Sequence, residues 1–131
     1  MPKYEKTLTV GKDDLDELDH VNNVRYLHWI QDISKEHWQK LVSEEISKSM
    51  VWVVMRHDIR YKNSAILNDS LRLKTFIEKS RGAISNRVVE IYNDKTNLLI
   101  VRSVTEWCLL NKKSFKPMRI PEKVLAIFKP D

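Results

Sequence analysis

From about residue 23 to about residue 44 the apolar residues return every three or four positions, and this is the one long helical pattern in the chain. Projected at ~100° per residue, Tyr26, Leu27, Ile30, Ile33, Ser34, His37, Trp38 and Leu41 share a face, with Arg25, His28, Asp32, Lys35 and Gln39 opposite. A helix with a single buried side has to lie against something broad.

The rest of the chain supplies a sheet. Residues 6–10 read as a short first strand and residues 11–19 as a polar loop. Residues 50–62 open as an apolar run and then alternate, Met55, His57, Ile59 and Tyr61 against Arg56, Asp58, Arg60 and Lys62. Leu71, Leu73, Thr75 and Ile77 alternate in the same way with Arg72, Lys74, Phe76 and Glu78. Ser80-Arg81-Gly82 is a hairpin-type turn into a strand over 83–92, and the polar run 93–97 closes a second hairpin into a strand over 98–110. After a basic loop, Ile120-Pro121 introduces a short helix over 122–128. Tight connections imply antiparallel neighbours. The expectation is an α+β fold, a five-stranded antiparallel sheet wrapped around one long central helix. One face and one edge of that sheet stay uncovered, so pairing with a second copy is expected, and Phe76, Val89 and Val104 read as spare apolar positions.

A chain of 131 residues is one domain's worth, so a single domain over 1–131 is expected. Its 42% hydrophobic content is enough to bury a core, which separates it from disordered chains. No apolar run is long enough to span a bilayer, and the first ten residues lack a signal-peptide core, so no membrane partner and a cytoplasmic location are expected. One cysteine excludes an internal disulfide and fits a reducing compartment. The net charge of +5 favours anionic partners, whether nucleic acid, an acidic membrane or a phosphorylated small molecule. A nucleic-acid module would cluster its basic and aromatic residues on one face. Here the bases are scattered and the aromatics fall mostly at buried positions, so no nucleic-acid partner is expected.

The residues able to do chemistry gather in 14–32. Asp16 and His20 stand four apart, just ahead of Asn22 and Asn23, whose side-chain oxygens suit them to cap a helix. Acids before a helix often do no more than cap it and favour its dipole, and that remains one reading of Asp14, Asp16 and Asp19. The other is catalytic: the helix start polarises a carbonyl while a carboxylate serves as base or nucleophile. Elsewhere, His28 falls on the polar helix face, while His37 and His57 read as hydrogen-bonded structural residues and Cys108 as an inert core thiol. No histidines sit at ligand spacing, so no metal is expected. There is no GxSxG or P-loop, and two glycines are too few for a dinucleotide turn, so no cofactor is expected either.

Asp16-x3-His20-Val21-Asn22-Asn23-x2-Tyr26, followed by Trp29, resembles the signature of the hotdog-fold acyl thioesterases. That group spans 4-hydroxybenzoyl-CoA-type, short-chain acyl-CoA and fatty acyl-carrier-protein thioesterases. The HVNNVRY run is similar to the carrier-protein branch, and the closing KKSFKPMRIPEKV also fits the family, so the resemblance covers nearly the whole chain. It implies the hotdog fold and hydrolysis of an acyl-CoA or acyl-carrier-protein thioester, as in fatty acid metabolism. It implies that Asp16 is base or nucleophile, that His20 joins the catalytic network, and that the Asn23 backbone N–H stabilises the oxyanion. Asn22, Tyr26 and Ser64 (with Asn63 beside it) stand on the substrate side, with Tyr26 and Trp29 also readable as packing residues. For the phosphates of coenzyme A, Lys79 and Arg81 at one hairpin are available, as are Lys112, Lys113, Arg60 and Lys62, a solvated face being the other reading of each. The family builds its active sites at a dimer interface, which implies a homodimer and a dimer of dimers, that is, a homotetramer. Two departures stand out: Leu18 replaces a catalytic asparagine of the carrier-protein branch, and Asp19 replaces the other branch's usual glycine. The rivals on this fold are a domain that holds acyl-CoA without cleaving it, against which Asp16 argues, and a hydratase, whose local Asp–His pattern is not seen.

Overall fold

The expected helix forms but stops early. The structure, a computed structural model, describes residues 3–129. Its long helix, α1, spans Asn23–Leu41, and a separate turn, α2, follows at Glu44–Ser47. The break has a local cause. Val42 takes extended backbone, φ −105 and ψ 127, and Ser43 starts a new helix by accepting from the Ile46 N–H at 3.3 Å.

The strands are β1 Lys3–Thr9, β2 Met50–Tyr61, β3 Ser70–Arg81, β4 Ile84–Asn93 and β5 Leu99–Asn111, and the chain ends in α3 Glu122–Phe128. All pair antiparallel in the order β1-β3-β4-β5-β2, with α1 packed across one face. This is the expected hotdog architecture. The first strand begins earlier than its β-branched residues indicate, because Lys3 to Thr9 all pair with β3. The β3–β4 hairpin turns at Gly82, whose φ of 59 is a region that favours glycine. No helix among the described residues is long and apolar enough to cross a membrane.

Two expected positions move. Met55 does not join His57, Ile59 and Tyr61, because a bulge between Val54 and Arg56 turns it outward to 60% exposure. Val89 is not spare either. It shares the helix-facing side of β4 with Arg87 and Ile91 and is fully buried. The outward apolar row is Phe76–Val88–Val104 instead.

Beneath α1 the core is in two parts. One gathers Tyr26, Ile30, Ile33, Leu73 and Ile91 under the first half of the helix, and the other gathers Val42, Leu109, Val124 and Phe128 under its far end. Each fully buried Ile or Leu contributes about 1.5–3 kcal/mol. Between the two parts runs a polar belt on the helix-facing side of the sheet, including Thr75, Arg87, Thr105 and His57, with His37 of α1 against it.

Candidate active site

The stretch before α1 folds as a small hairpin that aims the chain into the helix. Leu15 bridges Val21, the Asp16 N–H donates to His20 O at 2.8 Å, and the Asp19 N–H donates to Asp16 O at 3.1 Å. Asp19, standing where glycine is usual, takes the left-handed conformation itself, at φ 60. The returning segment is pinned from below, since His20 bridges Ile66 and the Val21 N–H donates to Ala65 O at 2.9 Å. Asp14 ties loop to helix: its carboxylate meets Arg25 at 2.9 Å, and its carbonyl accepts from the Asn22 N–H.

Asp16 is half-buried on this hairpin. Its Oδ1 accepts from the Leu18 N–H at 2.9 Å and the His20 N–H at 3.4 Å, while Oδ2 makes no hydrogen bond among the described residues. At the helix start, Asn22 Oδ1 accepts from the Val24 N–H at 3.0 Å, and the Arg25 N–H goes to Asn22 O. The donor left over in that turn is the Asn23 N–H, which has no acceptor among the described residues. Tyr26 lies one turn further on, its ring buried edge-on against Trp29 and its hydroxyl accepting from the Ala65 N–H at 3.2 Å. Burial pushes the Tyr26 phenol above its usual range. The negative charges of Asp69 and Asp16 push the same way, against the Ala65 hydrogen bond. Asp16 is therefore close enough to the first turn of α1 to be felt there.

The other expected residues divide. Asn22 and Asn23 stand exposed beside this hairpin, as does the His20 imidazole, which makes no hydrogen bond among the described residues. Ser64 is exposed nearby, and its neighbour Asn63 is committed to Leu99 O at 2.7 Å. Lys79 and Arg81 are not here. They lie near the far end of β3, and the nine steps from Ser70 to Lys79 cover about 30 Å at ~3.3 Å per residue. One chain does not bring them to Asp16; they border a small recess with Asn86 and Glu106. Of the other bases, Arg60 pairs with Asp58 at 3.4 Å, while Lys112 and Lys113 are exposed beyond β5. No group of three or more His, Cys, Asp or Glu able to hold a metal occurs among the described residues.

Around Asp16 the surface is unusually apolar. Leu18 is 70% exposed and Val24 57%, with Tyr61, Ile66 and Leu67 also open to solvent. The strand ending at Tyr61, β2, is an edge of the sheet.

Sequence reasoning missed Arg87. It is buried in the polar belt, where Nη1 donates to His37 Nδ1 at 2.8 Å and to Thr75 Oγ1 at 3.0 Å. A guanidinium only donates, so the His37 Nδ1 is the acceptor. The available signal was phase, since Arg87 is two positions before Val89 and four before Ile91 on a strand read as buried.

The fold has known counterparts. The profile of the family described as the acyl-ACP thioesterase N-terminal domain matches residues 2–128. A search of curated proteins found no match. Among solved structures, the YbaW probable thioesterase of Escherichia coli superimposes with a TM-score of 0.86 at 18% identity, over 93% of each chain. A 1,4-dihydroxy-2-naphthoyl-CoA thioesterase from Synechocystis gives 0.83 at 15% identity, over 96% of this chain and 95% of that one. The 12:0-ACP thioesterase of Umbellularia californica gives 0.84 at 16% identity over 96% of this chain, which spans only 49% of that protein. Likeness at such identities shows the shared fold.

Proposed function

The chain belongs to the acyl-ACP thioesterase N-terminal domain family, and from that premise we propose that it hydrolyses an acyl-CoA or acyl-carrier-protein thioester to free acid and thiol. The observation that carries this reading is the pairing at the start of α1: a carboxylate with one oxygen anchored and the other unengaged, beside a backbone N–H with no acceptor. The thioester carbonyl oxygen accepts from the Asn23 N–H, which stabilises the oxyanion as it forms. Asp16 Oδ2 takes a proton from a water whose oxygen bonds to the acyl carbon. The C–S bond then breaks, and the leaving thiolate collects a proton, for which the solvent-facing His20 imidazole is the nearby donor. Direct attack by Oδ2 is the covalent variant, with water then cleaving the acyl-enzyme.

Three features favour completion of the site by a second copy. The rim around Asp16 is apolar and open, the β2 edge is unpaired, and the cations Lys79 and Arg81 lie at the wrong end of their own chain. In a homodimer, extended to a dimer of dimers, those cations come from the neighbouring copy to meet the carrier's phosphates. The Synechocystis relative is named for a CoA thioester and the Umbellularia relative for an ACP thioester. Both carriers present the anionic groups that a net charge of +5 attracts.

The test is thiol release across short, long and aromatic acyl-CoAs and a medium-chain acyl-ACP. Release well above the buffer rate with at least one is expected. Buffer-level release from all of them, with folded protein, refutes the reading.

A further inference from the structure

The turn that follows β5 joins concentrated charge to an exposed ring. Residues 112–119 hold four cations, Lys112, Lys113, Lys116 and Arg119, and no acid. All four are exposed, and none forms an ion pair among the described residues. Between them Phe115 is 65% exposed and takes the left-handed conformation, with φ 55. A bulky residue rarely adopts that backbone, because its Cβ crowds the following carbonyl. The strained turn keeps an aromatic ring in solvent, in the midst of the lysines.

The turn is also well braced. Asn111 Oδ1 accepts from the Lys113 N–H at 2.9 Å and the Ser114 N–H at 3.1 Å, and its carbonyl accepts from the Phe115 N–H at 2.7 Å. The Lys112 N–H donates to Ser49 O at 3.0 Å, and the Lys116 N–H to Ser114 Oγ at 3.3 Å. With Asn111 bonded to Lys116 O and Met118 to Leu109 O, every backbone N–H from Asn111 to Met118 has an acceptor. Ring and cations are therefore displayed as one array. The acids on the adjoining elements are Glu44 and Glu45 of α2, Glu45 being paired with Lys48 at 3.1 Å, Glu122 of α3 and, further back on β5, Glu106.

What suits such an array is a surface that is anionic outside and apolar just beneath. A lipid headgroup layer has that chemistry: its phosphates and carboxylates meet the cations, and its acyl boundary takes the ring. A nucleic acid would ask for successive stacking rings, and residues 111–119 have one. The other end of the molecule fixes the orientation. From Met50, paired with Asn111, β2 runs eleven steps to Tyr61 beside Tyr26, about 36 Å at ~3.3 Å per residue. At that end the stretch 13–19 carries Asp13, Asp14, Asp16, Glu17 and Asp19. A negative surface attracts the first end and repels the second, so the Asp16 hairpin faces solution.

We propose that residues 112–119 dock the protein on an anionic lipid surface, with Lys112, Lys113 and Lys116 on the headgroups and Phe115 at the acyl boundary. This is contact with one face of a bilayer and needs no spanning helix. It goes beyond the thioesterase reading, and its test contains no thioester, so the two stand or fall separately.

The full chain is sedimented with vesicles of phosphatidylcholine alone and of phosphatidylcholine with phosphatidylserine, at low and at physiological salt. Binding to the phosphatidylserine vesicles is expected to exceed binding to phosphatidylcholine by more than about tenfold and to weaken with salt. Lys112→Gln combined with Lys113→Gln should weaken it about thirtyfold, at roughly fivefold per cation. Phe115→Asn removes the ring, suits the positive φ, and should weaken it severalfold. Polyglutamate in solution provides the comparison with a soluble acidic chain. Equal binding to the two kinds of vesicle, binding to neither, full affinity in either variant, or polyglutamate binding that matches the vesicles overturns the proposal. So does a Phe115→Asn protein whose solution mass falls, since the ring would then be covered by a second copy.

Discussion

The two ends of α1 are built on opposite principles. At its start the protein exposes what it has made: a half-buried carboxylate, a spare backbone donor and a rim of exposed Leu18, Val24 and Ile66. At its far end it hollows: a cavity of about 620 Å³, open to solvent on one side, has the buried Arg87 in its wall. The first end is incomplete in a single chain and has the features of a surface that another molecule covers. The second is walled by the helices and sheet of one chain. The polar belt through Thr75, Arg87, Thr105 and His57 lies between the two core clusters.

Substitutions sharpen that contrast. The largest effect is expected at the open end: Asp16→Asn should lower kcat by about a thousandfold, within the range for loss of a general base, while Tm moves by no more than a few degrees. Unfolding of the variant would instead make Asp16 a loop-building residue. At the hollow end, Arg87→Met should leave Tm unchanged or raise it, because an unanswered buried charge gives way to an apolar side chain. A drop of ten degrees would make Arg87 a structural keystone. Smaller still, Tyr26→Phe orphans the Ala65 N–H and should cost about 1–3 kcal/mol in urea denaturation. No loss there would mean that the hydroxyl does not hold the segment beneath the Asp16 hairpin.

The smallest effect is a pH dependence in the belt. His57 is held below its usual pKa by burial, with Nδ1 against Thr105 Oγ1 at 2.8 Å and Nε2 buried without a partner among the described residues. Its folded pKa is depressed, so near pH 7 both states are neutral, and below about 6.5 the unfolded chain takes up a proton that the folded one resists. Stability should fall as pH drops from 7 through 6, and His57→Phe should flatten that slope. A slope unchanged in the variant assigns it to other groups.

Much of the fold was legible because its periods are simple. The strand phases of Leu71, Leu73 and Thr75 and the helix face of Tyr26, Ile30 and Ile33 follow directly from spacing, and all six are buried. The early end of α1 had a readable cause in Ser43 followed by two glutamates, a capping signal inside what reads as one continuous pattern. The bulge at Met55 had none, since an apolar run looks the same with or without an extra residue. At the candidate site the identity of Asp16 and the cap at Asn22 were readable. The unengaged Oδ2 and the spare Asn23 N–H were not, because they depend on where every neighbouring hydrogen bond goes. Lys79 and Arg81 were misplaced for a different reason: charge and turn position were read, but not the length of the strand that carries them away from Asp16.

Acyl thioester turnover by folded Asp16→Asn, beside the unsubstituted protein, tests most directly whether the start of α1 does the chemistry. The prediction is a loss of turnover of about a thousandfold with the fold retained. Turnover that survives in folded Asp16→Asn contradicts it.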